Sequence, residues 1–205
     1  MARQSAAVSV SGTAGLRTIS PIRCLLITLL TLFIIVGIII LIFWLAVRPV
    51  PIAYSVEDAR IHGYNLTTAG ELNASFELSL LADNRNRHVS IYYDSFAVAV
   101  WYDDQMLAFA EPPPFHQRRR NETRLNVTAT AAGMPLLGSV AEGMKHDRTA
   151  GVVAVEVRVR ARIRFKVGAA KTKHYTLRAF CSPVVVRFSP QPPPAFQRTY
   201  CDVDV

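Results

Sequence analysis

The chain has 205 residues, 51% of them hydrophobic, a formal net charge of +8 and a pI of about 9.8. That length makes one domain with appendages the default rather than several domains. The basic balance favours anionic partners or surfaces and leaves the fold open.

Residues 1–22 are rich in Ser, Ala, Gly and Arg, lack an apolar period and are expected to form a disordered tail. Cys24 to Val47 then runs without a single charge. A helix of that length, at about 1.5 Å per residue, spans roughly 36 Å, against a hydrocarbon core of about 30 Å. A cleaved signal peptide has a shorter apolar core of about 7–15 residues and small residues at its cleavage site. Here the run is longer and "WLAVRPVP" offers no such site, so a retained transmembrane helix over 23–47 is expected, with Trp44 near an interface. Arg3, Arg17 and Arg23 precede it with no acidic residue, whereas Arg48, Glu57 and Asp58 follow. The arginine bias predicts a cytoplasmic N-terminus and a lumenal or extracellular C-terminal region.

Two features agree with that orientation. Four N-glycosylation sequons, at Asn65, Asn73, Asn121 and Asn126, all follow the apolar helix. Of the three cysteines, Cys24 sits at the cytoplasmic edge, as a palmitoylation candidate or an ordinary membrane residue. Cys181 and Cys201 lie outside, as one disulfide or as two free thiols.

Pro49 and Pro51 exclude helix from a stiff linker over 48–54. Period-two patterning follows. Leu72, Ala74, Phe76, Leu78 and Leu80 share one face of a half-buried strand, and "VSIYYDSFAVAVWYDD" reads as one long or bent strand. "QMLAFAE" is its hairpin partner after Asp103-Asp104, and Leu125, Val127 and Ala129 alternate with polar residues in "TRLNVTATA". Leu136, Leu137, Val140 and Met144 have rough helical spacing and predict one short helix. "VAVEVRVRARIRFKV", residues 153–167, alternates again, with Glu156, Arg158, Arg160, Arg162, Arg164 and Lys166 on one face. A last strand, bent at Pro183, leads to a Pro-rich end over 190–205. Strands with one short helix and no βαβ rhythm predict an all-β antiparallel sandwich over 55–189. No internal repeat and no hydrophobic C-terminal tail of the lipid-anchor type are found.

Chemistry is sparse. His62, His88, His116, His146 and His174 show no metal-ligand spacing, and no nucleophile elbow or phosphate loop is present. Asp103 and Asp104 are better explained by a turn than as paired carboxylates. No enzymatic activity, metal or cofactor is expected. The basic candidates are the Arg158, Arg160, Arg162 and Arg164 row and the Arg118, Arg119 and Arg120 cluster with Arg124, and Arg85, Arg87 and His88 form a third cluster. A nucleic-acid site would interleave aromatics on the basic face, but Phe165 lies opposite the arginines and the region is expected outside the cell. The basic face is left either solvated or in contact with anionic wall polysaccharide or anionic lipid headgroups.

"WLAVRPVPIAYSVEDA", "IYYDSFAVAVWYDDQMLA", "PPPFHQRRRNETRLNV", "VEVRVRARIRFKVG", "HYTLRAFCSPVVVRF" and the late Cys201 occur in an order that resembles the plant non-race-specific-disease-resistance and harpin-induced-like membrane proteins. Their outer part is a late-embryogenesis-abundant type 2, or water-stress-and-hypersensitive-response, domain. The resemblance implies a fibronectin-III-like β-sandwich, a plasma-membrane location and roles in pathogen response, the hypersensitive reaction and abiotic stress, with no catalytic residues. That family carries Asn-Pro-Asn before its Tyr-Tyr-Asp segment. Here Asp83-Asn84-Arg85-Asn86 takes the place, and the missing proline predicts a less rigid loop. The expected function is non-enzymatic: a single-pass plasma-membrane protein coupling membrane to cell wall or to defence-signalling proteins. The alternatives are an extracellular binding module for a small apolar ligand or lipid, and a structural stress protectant.

Overall fold

Residues 21–47, 50–188 and 196–205 are described by a computed structural model. The expected disordered tail up to residue 20, Arg48 and Pro49, and the Pro-rich run over 189–195 lie outside the described residues, as does the side chain of Trp44. The chain divides into two compact units, Met1–Ala46 and Val47–Val205.

Among the described residues the first unit contains a single helix, α1 (Pro21–Val47). Pro21 opens it, where a missing N–H is tolerated. The hydroxyls of Thr28 and Thr31 donate back to the carbonyls of Cys24 and Ile27, each at 2.8 Å. Those polar groups are therefore satisfied within the helix, as an apolar surrounding requires. The stretch Pro21–Ile42 is long and apolar enough to cross a membrane.

The second unit takes its strands from the period-two segments. They are β1 (Ala53–Leu66), β2 (Glu71–Asn84), β3 (Val89–Tyr102), β4 (Gln105–Ala110), β5 (Phe115–Gln117), β6 (Asn121–Pro135), β7 (Val152–Val167), β8 (Ala170–Lys171), β9 (Tyr175–Arg187), β10 (Thr199–Tyr200) and β11 (Asp202–Asp204), with α2 (Gly138–Ala150) between β6 and β7. The path β1–β2–β6–β4–β3–β7–β9 returns to β1, so the sheet is barrel-like. All its neighbours are antiparallel except the closing pair β9–β1. The expected strand-rich, mainly antiparallel domain is present as a barrel-like sheet, and a fibronectin-III-like sandwich is not shown. Long ladders join β1–β2–β6 and β4–β3–β7–β9, but these two ribbons are not separate sheets. Phe109 pairs with Thr130 between β4 and β6, and Arg60 pairs with Arg187 between β1 and β9. Each seam is one register pair, a long-range contact that no local periodicity encodes, and it covers strand edges that would otherwise stand open.

Alternation places one face of every long strand inside. Tyr54, Phe76, Phe96, Leu72, Leu80, Ile91 and Leu177 are fully buried there. Tyr93 stacks on Phe115 with ring centroids 4.1 Å apart, and Phe96 meets both edge-on. Two boundaries differ from expectation. The linker read over 48–54 joins the barrel before its end, since Ile52 and Tyr54 are in the core and β1 starts at Ala53. The Pro-rich end is also partly structural: β10 pairs with β1, β11 pairs with β9, and the Cys201 N–H donates to the Tyr54 carbonyl at 3.0 Å. Proline content marked that end as irregular, and the pairing residues lie after the prolines.

α2 buries Val140, Ala141 and Met144. Leu137, expected on that face, is 65% exposed because it is the extended residue that precedes the helix. Gly151 ends α2 in the left-handed conformation, its N–H donating to the Arg148 carbonyl. The Tyr102 hydroxyl donates to Asp147 Oδ2 at 2.9 Å, tying the end of β3 to α2. A Cβ at Gly143 would lie 2.8 Å from that hydroxyl, which accounts for glycine inside this helix.

The β3–β4 hairpin turns on Asp103 and Asp104, at φ 46° and 59°. Two left-handed residues match the twist of a two-residue hairpin, and Asp tolerates that region less well than Gly. Asp104→Gly is therefore expected to raise the thermal midpoint of the barrel, relieving on the order of 1 kcal/mol. Asp104→Val is expected to lower it. Circular-dichroism melts of the full chain in mild detergent measure both.

Candidate functional site

The β7 arginines all leave the sheet on its outer face, but they are not equivalent. Arg164 makes a two-point ion pair with Asp94, Nε to Oδ2 at 2.7 Å and a terminal nitrogen to Oδ1 at 2.5 Å. His174 Nε2 lies 3.4 Å from the same carboxylate. Asp94 is the extra residue of a β-bulge between the pairs Tyr93–Ile163 and Ser95–Arg162. The bulge is what aims its carboxylate along the outer face. Arg158 pairs with Glu156, lies 3.8 Å from Asp104, and stacks its guanidinium 4.1 Å above the Trp101 ring. Arg160 and Arg162 are exposed and form no ion pair among the described residues, and Arg160 faces Arg178 across β9. The row of four is thus two neutralised arginines flanking two free ones.

A second acidic bulge repeats the device. Glu57 is the extra residue of β1 between Val56 and Asp58, and it pairs with Arg124 and Arg198. Arg124 is therefore held on the wall of the barrel, away in function from Arg118, Arg119 and Arg120, which are exposed on the β5–β6 turn.

The sequon asparagines fall on β1, β2 and β6. Asn65 and Asn73 are direct cross-strand partners. Asn65, Asn121 and Asn126 are exposed, whereas Asn73 is half-buried and its Oδ1 accepts the Gly133 N–H at 2.9 Å. Asn121 opens β6 opposite Asn84, with its Nδ2 donating to Thr123 Oγ1 at 3.1 Å. Cys181 and Cys201 are bonded, S–S 2.04 Å, and join β9 to the segment between β10 and β11. Cys24 is exposed on α1.

Sequence reasoning missed the most organised polar cluster. Asn84, Asn86 and Gln117 are all buried. Asn84 Nδ2 donates to the carbonyls of Val89 and Arg118, each at 3.0 Å, and its Oδ1 accepts from the Asn86 N–H and Nδ2. Asn86 holds both backbone groups of Val50, accepting its N–H at 2.7 Å and donating to its carbonyl at 2.8 Å. The Arg120 N–H returns to the Asn86 carbonyl at 3.0 Å. Gln117 Nε2 donates to the Ala82 and Asn121 carbonyls, while its Oε1 accepts from Tyr93, whose hydroxyl accepts from Tyr54 at 2.7 Å. Burial holds the Tyr54 and Tyr93 hydroxyls protonated far above their ordinary range. In the loop without its proline, buried amides hold the turn to Val50, Val89 and Arg118. The Asn-x-Asn spacing was the available signal.

A described cleft of about 260 Å³ lies at the opposite end of the strands, lined by Trp101, Tyr102, Asp103, Asp104, Glu156 and Pro183 among others. Among the described residues no group of three or more His, Cys, Asp or Glu is placed to hold a metal ion.

A family model for late embryogenesis abundant protein, LEA_2, matches residues 79–181. The chain belongs to the LEA_2 family. The matched segment of this LEA_2 protein runs from β2 to Cys181 in β9, so it contains the Asn84–Asn86 turn, the β5–β6 turn and all of β7. It is similar to uncharacterized protein At1g08160 of Arabidopsis thaliana, 29% identical over 90% of this chain and 84% of that one. It is also similar to NDR1/HIN1-like protein 3 of Arabidopsis thaliana, 29% identical over 86% of this chain and 78% of that one. NDR1/HIN1-like protein 26 of the same plant is 27% identical over 82% and 83%.

Arg164 beside Asp94 holds that carboxyl below the usual range. A depressed native value contributes stability that is present above the unfolded value of about 3.9 and is lost as pH falls through the native one. Asp94→Asn is expected to destabilise the barrel at neutral pH, with the deficit shrinking as the pH drops below about 4. Denaturant titrations of both chains at neutral and acid pH check this. A deficit independent of pH would mean that the asparagine disturbs the bulge and not the ion pair.

Proposed function

We propose that this LEA_2 protein is a non-enzymatic, single-pass plasma-membrane protein whose barrel stands outside the cell and serves plant defence and stress signalling. The observation that carries the reading is the direct succession of elements. A helix able to cross a membrane, without charge from Cys24 onward, ends at Val47, and six residues later β1 of the barrel begins. The arginine bias before that helix supports a cytoplasmic N-terminus, and the four sequons after it support an external barrel. The NDR1/HIN1-like relatives support the defence and stress role. In this role the exposed Arg160, Arg162 and Arg118–Arg120 are contacts for anionic wall polysaccharide, anionic lipid or signalling partners.

A small apolar ligand inside the barrel has less support. The interior is filled by Tyr54, Phe76, Phe96, Leu72 and their neighbours, and the described cleft is lined by Asp103, Asp104 and Glu156 together with Trp101, Tyr102 and Pro183 at one end of the strands.

Topology is checked on the full chain in insect or plant cells, with an epitope at each end. Peptide-N-glycosidase is expected to increase gel mobility. Protease added to intact cells is expected to remove the C-terminal epitope and spare the N-terminal one. A C-terminal epitope reached only after permeabilisation would refute the orientation, and release of the chain by alkaline carbonate would refute the anchor.

A further inference from the structure

The barrel has two ends of different charge, and the chain enters at the basic one. Val50 follows the last residue of α1 by three positions. An extended chain advances at most about 3.6 Å per residue, so connectivity alone keeps Val50 within about 11 Å of the helix terminus. Asn86 grips Val50 through both of its backbone groups. The turn that carries Asn86 also carries Arg85, Arg87 and His88, all exposed.

The same amides bring in the neighbouring turns. Asn84 holds the Arg118 carbonyl and Asn86 the Arg120 N–H, which sets the Arg118–Arg120 turn beside the first. The pairing of Val89 with Val167 brings the β7–β8 hairpin, with Lys166 and Lys171, to this end, and Lys173 follows it. His116 reports the crowding: its imidazole is held below its ordinary value by burial and by the cations of Lys166, Arg118 and Lys171. Acidic counterweight is small. Asp83 pairs with Arg85 at 2.7 Å, and Glu122 is the other carboxylate among these turns. Arg87, Arg118, Arg119, Arg120, Lys171 and Lys173 are exposed and form no ion pair among the described residues. The far end of the strands instead carries Glu71, Asp103, Asp104, Glu142 and Asp147, alongside Lys145, Arg148 and Arg187.

We propose that this end is a docking face for anionic phospholipid headgroups of the leaflet from which α1 emerges. The inference rests on the reading of α1 as a membrane span. On that reading the basic surface is joined to the span by a tether of at most about 11 Å, comparable with the Debye length of about 8 Å at physiological ionic strength. Its charges therefore act on headgroups without first having to find them, which distinguishes a lipid from a wall polymer as occupant. The paired arginines on the barrel wall, Arg124, Arg158 and Arg164, are already neutralised and contribute little.

The protein supplies its own reporters, because it has four lysines. Lys166, Lys171 and Lys173 lie at the basic end, and Lys145 lies on α2 at the other. The full chain, produced with its glycans, is placed in nanodiscs of phosphatidylcholine with or without phosphatidylserine, and lysine acylation rates are read by mass spectrometry. Lys171 and Lys173 are expected to react several-fold more slowly in the anionic discs, Lys145 to be unchanged, and the difference to vanish in high salt. The exposed-turn variant Arg118→Glu, Arg119→Glu, Arg120→Glu is expected to lose the protection. Equal rates in both discs would overturn the proposal, including the case in which a sugar on Asn121 holds the face away. Protection by added polygalacturonate and not by phosphatidylserine would overturn it in favour of a wall polymer. Equal protection of Lys145 would overturn the orientation. A chain that fails to co-elute with the discs would instead refute the membrane span, and the proposal with it.

Discussion

The Asn86 amide is buried, and a buried amide must find partners for both its oxygen and its nitrogen. It finds them in the backbone of Val50 and in Asn84, which in turn holds Val89 and Arg118. Gln117 extends the same logic to Ala82, Asn121 and Tyr93. Removing one of these groups would strand another in a water-poor site, at about 1–3 kcal/mol for each. The chain entry, two turns and the first core tyrosines are therefore ordered together at one end of the barrel. The charge carried by those turns is gathered there as a consequence.

The outer wall is ordered by a second device. Each of two bulges inserts an acidic residue, Glu57 in β1 and Asp94 in β3; Glu57 takes Arg124 and Arg198, and Asp94 takes Arg164, all far along the chain. A regular strand would have aimed these side chains by strict alternation. The extra residue changes that direction, and it converts part of a repulsive arginine row into ion pairs. Of the four β7 arginines, Arg160 and Arg162 are left without an ion pair among the described residues. The wall is consequently less basic than its sequence reads, and the entry end more so.

Much of the fold was legible because the period of two is a local property. Leu72 to Leu80 in β2, Val153 to Ile163 in β7, the Asp103-Asp104 turn and the helix around Val140 and Met144 all follow from side-chain order along the chain. The candidate site was legible only as a set of basic residues. Asn84 and Asn86 read as an ordinary polar loop, because their Asn-x-Asn spacing does not by itself say that a loop amide will be buried. The C-terminal strands were hidden for a related reason: Thr199–Tyr200 and Asp202–Asp204 are too short to show a period, and they are strands only because β1 and β9 offer them edges.

The sequence by itself determined the apolar helix, the strand-rich domain that follows it, and the presence of more cation than anion. These depend on composition and on neighbours within a few residues. Tertiary structure alone decided that the sheet closes through Phe109–Thr130 and Arg60–Arg187, and which arginines keep their charge unpaired. It also decided that the turns at Arg85–His88 and Arg118–Arg120 meet at the point where the chain enters. The contacts responsible join residues 34 to 36 positions apart, Asn84 with Arg118 and Asn86 with Val50. Pairings at that separation are selected by the closure of the whole barrel and by the need to satisfy its buried amides, and no local pattern contains them.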